Sequence, residues 1–190
     1  MSLNALQASS NKPLPVHQRR LAQRICNFLY LCLLGAELPP FLAVRKKLVD
    51  VMLGRNHDLL VVHANVVLAD YRHLTLGKSV VINRGCHLSC SGGLNIGDFV
   101  AIGHGTSILT TEHDYRDPDT PIAWQPAIFA RVEIGSNVWI GAQVCILSGV
   151  SIASGTVVAA GSVVTKSFSE PNMIIGGVPA RILKHRFAQG

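Results

Sequence analysis

One histidine has the setting of a general base. His113 lies between Glu112 and Asp114 in the stretch TTEHDYRDPDTPIAWQPAIFAR, which spans residues 110–131. Imidazole has an ordinary pKa near neutrality, so it can take a proton from a hydroxyl or an amine. The sequence contains no G-x-S-x-G nucleophile elbow, phosphate-binding loop or Rossmann glycine fingerprint. It therefore favours base-assisted group transfer centred on His113 over nucleophilic or hydride chemistry.

Metal chemistry has little support in the sequence. His104 and His113 are nine residues apart, and no third partner at a suitable spacing follows them. Five cysteines are present, without a C-x-x-C pair: Cys26, Cys32, Cys86, Cys90 and Cys145. We expect no metal cofactor, and we expect most of these cysteines to be small buried side chains in a reducing compartment.

A six-residue repeat must position the histidine. Six aliphatic residues follow one another at intervals of six: Ile134, Ile140, Ile146, Ile152, Val158 and Val164. This period is neither 2 nor 3.6, and small residues follow the aliphatic ones, so it is typical of a hexapeptide parallel β-helix. Each hexad would form one short strand and one corner, and three hexads would close one triangular coil. The predicted fold is therefore all-β.

The same register continues upstream with one slip and one long interruption. Leu76, Ile82 and Leu88 are in register, and a two-residue excess at residues 91–93 precedes Ile96, Ile102 and Ile108. Twenty-six residues then separate Ile108 from Ile134. Solenoids often place functional residues on such excursions, so we expect a protruding loop at about residues 110–131 that carries His113. Residues 171–181 are expected to form a final irregular coil with a basic tail.

The N-terminal region has a different character. The pattern predicts helices over residues 16–34 and 42–53, with Gly54 as the stop. We divide the chain into a tail and helical cap, 1–54, and a β-helix domain, 55–186. The cap would shield the open end of the solenoid. The alternative is an amphipathic face that rests on a membrane or holds a lipid-linked substrate. The apolar run at residues 25–34 is about half the ~20 residues that span a bilayer.

The composition and net charge indicate which kinds of binding partner the chain favours. The chain has 190 residues, 48% hydrophobic content and a formal net charge of +6. No aromatic-rich basic motif of a nucleic-acid module accompanies the charge, so we expect no nucleic-acid partner. A basic balance also suits a phosphate-bearing co-substrate or an anionic membrane surface. We expect a cytoplasmic protein, with peripheral contact to the inner face of the membrane as the open alternative.

Residues 54–186 resemble the hexapeptide-repeat acyltransferases. The resemblance is strongest in VEIGSNVWIGAQVCILSGVSIASGTVVAAGSVVTKSF and extends to TTEHDY around His113. The nearest branch contains galactoside, maltose and nodulation-factor O-acetyltransferases and the colanic-acid-type enzymes of polysaccharide biosynthesis. The resemblance implies a left-handed β-helix, a homotrimer with active sites between subunits, and acetyl-CoA as the donor. It also implies a sugar acceptor, either a small molecule or a lipid-linked precursor.

The resemblance also implies roles for single residues. His113 matches the family's loop histidine, the general base for the acceptor hydroxyl. Asn83 matches an asparagine that positions the acceptor or the acetyl group, and Trp139 matches the wall of the pantetheine and acceptor tunnel. Asp70, with Tyr71, weakly matches an acidic-aromatic pair near the acceptor.

The coenzyme A side is matched by small and basic residues. Its positions correspond to Ala142, Ala160, Thr165, Lys166, Arg181 and, less closely, Lys184. Several of these residues also have structural interpretations. Asn83 could stack in a corner ladder, the alanines suit any tight coil, and the basic residues could be solvated charges. Trp139 precedes an inward-facing residue and should therefore face outward and be exposed.

The acceptor remains open at this point. Galactoside enzymes carry acidic residues where this chain has CSGG, and the loop sequence HDYRDPDTP is closer to the exopolysaccharide and nodulation-type members. The main prediction is acetyl-CoA-dependent O-acetylation of a sugar or polysaccharide-precursor hydroxyl by direct transfer. The alternatives are a streptogramin-type or amino-sugar N-acetyltransferase and a non-catalytic β-helix scaffold subunit.

Overall fold

The computed structural model describes residues 16–187, and side chains from residue 18 onward. Residues 1–15 of the predicted N-terminal unit lie outside this range. Two helices come first, α1 (Val16–Cys32) and α2 (Pro40–Leu53). The remainder is a parallel β-solenoid whose short strands form three sheets, which we call faces 1, 2 and 3.

Successive strands visit the three faces in turn. Face 1 consists of β1 (Val61–Val62), β4 (Val81–Ile82), β7 (Ala101–Ile102), β12 (Trp139–Ile140), β15 (Val157–Val158), β17 (Met173–Gly177) and β18 (Ala180–His185). Face 2 consists of β2 (Val67–Ala69), β5 (His87–Ser89), β8 (Ser107–Ile108), β13 (Cys145–Ile146) and β16 (Val163–Val164). Face 3 consists of β3 (Leu74–Leu76), β6 (Leu94–Ile96), β11 (Val132–Ile134) and β14 (Ser151–Ile152). The prediction of a hexapeptide-repeat β-helix with N-terminal helices and a protruding loop is confirmed.

The aliphatic repeat forms the core. All six repeat residues from Ile134 to Val164 are buried, and so are the upstream residues of the same register. Stacked coils bring like residues together, since Ile140 pairs in register with Ile102 on one side and Val158 on the other. Full burial of one such side chain contributes about 1.5–3 kcal/mol. The six-residue period of the sequence therefore arises from one continuous column of stacked apolar side chains.

Residues in excess of the six-residue interval lie at one edge of the triangular solenoid. The edge between faces 1 and 2 keeps the six-residue interval in every coil, as from Ile102 to Ile108. The edge between faces 2 and 3 does not. It holds two excess residues after Leu68, two after Leu88 and the long loop after Ile108. The sequence interpretation found the second and third of these, but it did not place the first coil, which begins at Val62.

The helices pack on the first coil. Tyr30 of α1 is buried and its hydroxyl donates to the Val66 carbonyl at 2.7 Å. Arg45 of α2 is also buried, with one 3.5 Å hydrogen bond to the Val62 carbonyl. Gly54 ends α2 in the left-handed conformation at φ 67°, as predicted. The helices begin and end within about two residues of the predicted positions.

One carboxylate fixes the end of α2. Asp50 accepts hydrogen bonds from Lys46 Nζ at 2.7 Å, from the His57 backbone N–H at 3.1 Å and from His57 Nδ1 at 2.8 Å. Burial alone would raise the pKa of Asp50, but the hydrogen bonds from Lys46 and His57 outweigh burial and lower it. Asp50 therefore joins the helix to the chain that enters the first coil.

The C-terminal segment is more regular than predicted. β17 joins face 1 beside β15, and β18 folds back on β17 in antiparallel register. A hairpin therefore replaces the expected irregular coil, because Ile174 and Ile175 still pair with the coil beneath them. In the part of the chain that the structure describes, neither helix combines the length and apolar content needed to cross a bilayer.

The cysteines are only partly buried. Cys86 and Cys90 are buried, Cys26 and Cys145 are half-buried, and Cys32 is exposed. Burial, with a smaller effect from the nearby Asp70 carboxylate, raises the pKa of the Cys90 thiol to about 12. The expectation that most cysteines are buried therefore applies fully to two of the five.

Candidate active site

His113 lies on a hairpin that leaves the solenoid at the edge between faces 2 and 3. β9 (Thr111–His113) pairs antiparallel with β10 (Ala127–Phe129), and Ala127 is the partner of His113. The side chain of His113 is exposed, and within residues 18–187 its imidazole makes no hydrogen bond. The loop is therefore an ordered arm, and its histidine is available to a ligand or to another chain.

The hairpin is anchored where it leaves the coil. Thr110 is fully buried, and its hydroxyl donates to the Ser89 carbonyl at 2.8 Å and accepts from the Gly92 N–H at 2.9 Å. A Cβ on Gly92 would lie 2.3 Å from the Thr110 carbonyl oxygen. Only glycine leaves room for the loop to emerge so close to the neighbouring corner.

Asp114 does not orient the imidazole. Its carboxylate accepts from Arg116 Nε at 2.9 Å and from Arg116 Nη2 at 3.1 Å. These hydrogen bonds lower the pKa of Asp114. Further along, buried Gln125 donates to the carbonyls of Asp117 and Thr120 at 2.9 and 2.7 Å. The sequence interpretation missed Gln125. The only signal in the sequence was that this residue places an amide side chain within a proline-rich loop.

A second group of predicted residues lies along the edge between faces 1 and 2. Trp139 is on face 1 beside this edge and is 59% exposed, as expected from its outward orientation. Asn83, Ala142 and Ala160 occupy corners of the second, fourth and fifth coils. Asn83 Nδ2 donates to the Ile102 carbonyl at 2.8 Å, which is the ladder contact considered above, and its side-chain oxygen has no partner among the described residues.

The amides of Ala142 and Ala160 are available to a ligand. Neither N–H makes a backbone hydrogen bond within the described residues, whereas their neighbours Gly141 and Gly161 do. A Cβ on Gly103 would lie 2.5 Å from the Ala142 nitrogen, and one on Gly141 would lie 2.5 Å from the Ala160 nitrogen. At this edge, therefore, glycines let successive coils pack closely, and the amides of Ala142 and Ala160 make no backbone hydrogen bond among the described residues.

The predicted nucleotide-end residues lie at the C-terminal end of the solenoid. Thr165 and Lys166 follow β16 and are exposed, with Lys166 Nζ 5.9 Å from the centroid of the Phe168 ring. Arg181 and Lys184 are exposed on β18. The structure therefore puts basic side chains beyond the coils that carry Ala142 and Ala160.

Asp70 occupies the other edge, below the hairpin. It sits at the corner of the first coil in the left-handed conformation, φ 52°, and its carboxylate accepts a hydrogen bond from the Ser91 hydroxyl. With Tyr71 it lines a cavity of about 430 Å³ between α1 and face 2. Asp70 and His113 therefore share one edge, whereas Asn83, Trp139 and the two alanines belong to the other.

Known proteins share this architecture. Residues 131–166 match the family described as bacterial transferase hexapeptide (six repeats). A hexapeptide-repeat acetyltransferase from Vibrio cholerae O1 biovar eltor, solved with acetyl coenzyme A, is 30% identical, with 89% of each chain covered and a TM-score of 0.73. The chain belongs to the hexapeptide-repeat acetyltransferases.

Other solved structures agree. A maltose O-acetyltransferase from Clostridium difficile 630 is 28% identical over 88% of each chain, with a TM-score of 0.74. A galactoside acetyltransferase in complex with coenzyme A, 23% identical, shares the fold at a TM-score of 0.72 and covers 98% of this chain and 92% of its own. No curated protein sequence matches the chain.

As a hexapeptide-repeat acetyltransferase, the chain presents the two halves of its candidate site separately. His113 stands at the edge between faces 2 and 3, and Trp139 lies on face 1, which is opposite that edge in the triangular cross-section. Among the described residues, no cluster of three or more His, Cys, Asp or Glu side chains is arranged to hold a metal ion.

Proposed function

We propose that the chain is an acetyl-CoA-dependent O-acetyltransferase that acts on a hydroxyl of a sugar or polysaccharide precursor. One observation carries the proposal. The anchored hairpin holds His113 outside the solenoid, where its side chain is exposed and has no hydrogen-bond partner among the described residues. The Vibrio cholerae relative solved with acetyl coenzyme A supports the donor. The maltose O-acetyltransferase supports a sugar hydroxyl as acceptor.

The free amides support the donor site. Acetyl-CoA supplies an acetyl group as a thioester whose leaving group is a stable thiolate. Ala142 and Ala160 offer N–H donors that make no backbone hydrogen bond within the described residues, along an edge where glycines hold successive coils close together. Trp139 would cover one side of the bound chain, while Lys166 and Arg181 would meet the phosphates. The residues present therefore fit the co-substrate.

His113 would perform the proton transfer. As the acceptor oxygen attacks the acetyl carbonyl carbon, the imidazole takes the hydroxyl proton, and the carbon–sulfur bond breaks to release the coenzyme as thiolate. An amide such as that of Ala142 would stabilise the negative charge that develops on the carbonyl oxygen. Asn83, whose side-chain oxygen is uncommitted, would orient the acceptor. No covalent acyl-enzyme is required.

The test of the base is the variant His113→Ala. Removing a general base should lower kcat by about 100-fold to 10,000-fold and leave the KM for acetyl-CoA nearly unchanged. His87→Ala, an exposed histidine on β5, is the matched control and should retain activity. Near-normal transfer by the His113→Ala enzyme to its best acceptor would overturn the mechanism. A screen of hydroxyl and amine acceptors separates O-acetylation from the N-acetyltransferase alternative, and absence of coenzyme A binding would favour a scaffold protein.

Assembly as a homotrimer with shared sites follows from the same proposal. One chain carries His113 and Trp139 on opposite sides, so a complete site would need the hairpin of one subunit beside the edge of another. Co-expression of His113→Ala and Trp139→Ala chains tests this directly. Each variant alone should be nearly inactive, whereas random mixing should restore about a quarter of the sites. Mixed samples no more active than the separate variants would contradict shared sites.

Peripheral membrane contact is the last part of the proposal. Leu21, Ile25 and Phe28 are exposed at helical spacing on one side of α1, and the helix has three arginines and no acidic residue. Such a surface suits an anionic bilayer, and acetyl-CoA as donor implies the cytoplasmic side. Phe28→Ser should weaken co-sedimentation with phosphatidylglycerol vesicles, and Phe99→Ser on the solenoid should not. Equal binding by both variants would exclude this face, and loss of the oligomer in Phe28→Ser would assign the face to another subunit.

A further inference from the structure

Two adjoining cavities lie between α1 and the first coil. The larger, about 430 Å³, is lined by Arg24, Asp70, Tyr71 and Arg72 together with residues of β2. The smaller, about 280 Å³, adds Arg20 and shares Arg24, Tyr71 and Arg72 with its neighbour. Because the two cavities share three lining residues, they lie next to each other, and we call the pair the arginine pocket.

The arginine pocket is strongly basic. Its lining contains three guanidinium groups, those of Arg20, Arg24 and Arg72, and one carboxylate, that of Asp70. None of the three arginines makes an ion pair or a side-chain hydrogen bond to another residue in the part of the chain that the structure describes. Asp70 is instead engaged by Ser91. Guanidinium groups bind phosphate oxygens in paired, directional hydrogen bonds, so unpaired arginines around a cavity suit a phosphate.

Internal packing does not account for these arginines. Arg20 and Arg24 are one helical turn apart on α1 and line the smaller cavity, which Arg72 also lines from the corner of the first coil. Tyr71 is half-buried between the helix and the coil and packs against the core. Two of the other exposed arginines have acidic neighbours, since Arg116 binds Asp114 and Arg131 lies 3.8 Å from Glu133. The pocket thus collects three positive charges against the single carboxylate of Asp70.

The pocket and the histidine hairpin lie along the same edge. Ser91 of the second coil contacts Asp70, and the adjacent Gly92 donates to Thr110, from which the hairpin begins. The first and third coils are two strand spacings apart, which is about 10 Å. A monosaccharide or disaccharide that carries a phosphate is long enough to cover this spacing between coils.

We propose that the arginine pocket binds the phosphate of a glycosyl phosphate or glycosyl diphosphate acceptor, an inference that rests on the acetyltransferase function proposed above. The phosphate would hold the acceptor at the first coil while a hydroxyl of the sugar reaches His113. The shared chemistry is a sugar carrying a phosphate ester, whether the ester leads to a nucleoside or to a lipid. Neutral sugars would bind weakly because they bring no negative charge to a pocket in which three arginines face one carboxylate.

Kinetics with matched acceptors tests the inference. Galactose, glucose and mannose are each supplied as the methyl glycoside, the 1-phosphate, the nucleoside-diphosphate sugar and the lipid-linked diphosphate. The phosphorylated forms should have a lower KM than the methyl glycosides. A comparison of the nucleoside-diphosphate sugar with the lipid-linked diphosphate identifies whether the phosphate ester leads to a nucleoside or to a lipid. In the double variant Arg24→Gln/Arg72→Gln, the KM for phosphorylated acceptors should rise about 10-fold to 100-fold with a small change in kcat. Arg55→Gln, an exposed arginine after α2, is the matched control.

Direct binding separates this inference from the proposed function. Inorganic pyrophosphate is titrated into the full-length protein by calorimetry with saturating coenzyme A present, so that the donor's own phosphate site is occupied. Wild type and Arg55→Gln should bind it, and the double variant should bind it at least about 10-fold more weakly while keeping the wild-type melting temperature. Loss of binding in the double variant without acetyl transfer to any acceptor would refute the proposed function and retain the phosphate site.

Two outcomes would overturn the inference. One is that pyrophosphate fails to bind the wild-type protein at millimolar concentration, or binds the double variant equally well. The other is that the double variant changes the KM for methyl glycosides and phosphorylated acceptors by the same factor. Either result would mean that the arginines serve packing or solubility rather than recognition of a phosphate.

Discussion

The close packing of corners at the edge between faces 1 and 2 predicts a specific cost for one methyl group. In Gly103→Ala, the new Cβ would lie 2.5 Å from the Ala142 nitrogen and 2.6 Å from the Gly141 carbonyl oxygen. Ordinary contacts of this kind are about 3.5 Å, so the third and fourth coils would have to separate by about 1 Å. All the atoms in the way are backbone, and no side chain can rotate to relieve the contact.

The separation has a calculable effect on stability. The Gly103 N–H donates to the Ile140 carbonyl at 2.8 Å, and an opening of about 1 Å would take this pair beyond hydrogen-bonding distance. The lost hydrogen bond costs about 1 kcal/mol and the overpacking about 1–3 kcal/mol. We therefore expect Gly103→Ala to lower the free energy of unfolding by about 2–4 kcal/mol. Since the displaced backbone includes the Ala142 amide, the KM for acetyl-CoA should rise as well.

Urea denaturation at one fixed protein concentration measures the loss, since association would otherwise alter the apparent stability. Gly85→Ala is the matched control. Gly85 lies at the same edge, with φ of 70°, and its new Cβ would meet nothing closer than 3.9 Å. That variant should lose only the about 1–2 kcal/mol of a left-handed alanine, with an unchanged KM for acetyl-CoA. The reasoning is refuted if Gly103→Ala unfolds within about 0.5 kcal/mol of wild type or costs no more than Gly85→Ala.

Three further predictions concern stability and thiol chemistry. Asp50→Asn should cost about 1–3 kcal/mol near pH 7, because the carboxylate anchors His57. Folding lowers the pKa of Asp50, so its contribution to stability is present above the ordinary carboxyl pKa and is lost as pH falls through the folded value. The free energies of unfolding of wild type and Asp50→Asn should therefore converge below about pH 4. A pH-independent difference between them would contradict this. Arg45→Met should leave the melting temperature unchanged or raise it, because buried Arg45 leaves Nε and Nη2 unpaired within the described residues, and a fall of several degrees would disprove it. A maleimide at pH 7.5 should label exposed Cys32 in the folded protein and leave Cys90 unlabelled, since burial raises the pKa of that thiol to about 12; mass spectrometry showing early modification of Cys90 would refute this protection.

The solenoid was predictable because its core repeats. Ile102, Ile140 and Val158 stack in one column, so every coil needs an aliphatic residue at the same position. The resulting period identifies the fold without knowledge of long-range contacts. The first coil was harder to place. Val62 and Leu68 lie in a valine-rich stretch where several registers fit, and the two excess residues before Leu76 break the period.

The candidate site was predictable only in part. The interruption after Ile108 located His113, but the hairpin depends on the pairing of Thr111 with Phe129, eighteen residues further along the chain. Glu112 and Asp114 looked equivalent in the sequence, yet Arg116 engages only Asp114. Side-chain choices of this kind depend on local geometry, which periodicity does not encode.

The unequal edges of the prism have a consequence for how such enzymes can diversify. Between faces 1 and 2 every coil keeps its six-residue spacing, so the row that includes Ala142 and Ala160 cannot lengthen without breaking the stack. Between faces 2 and 3 the chain already tolerates additions of different size, at Asp70, at Ser91 and at the hairpin. In the function proposed above, the donor lies along the rigid edge, whereas His113 and the arginine pocket lie along the permissive one. Exchange of acceptors between relatives should therefore depend mainly on transplanting the second edge, with the coils left intact.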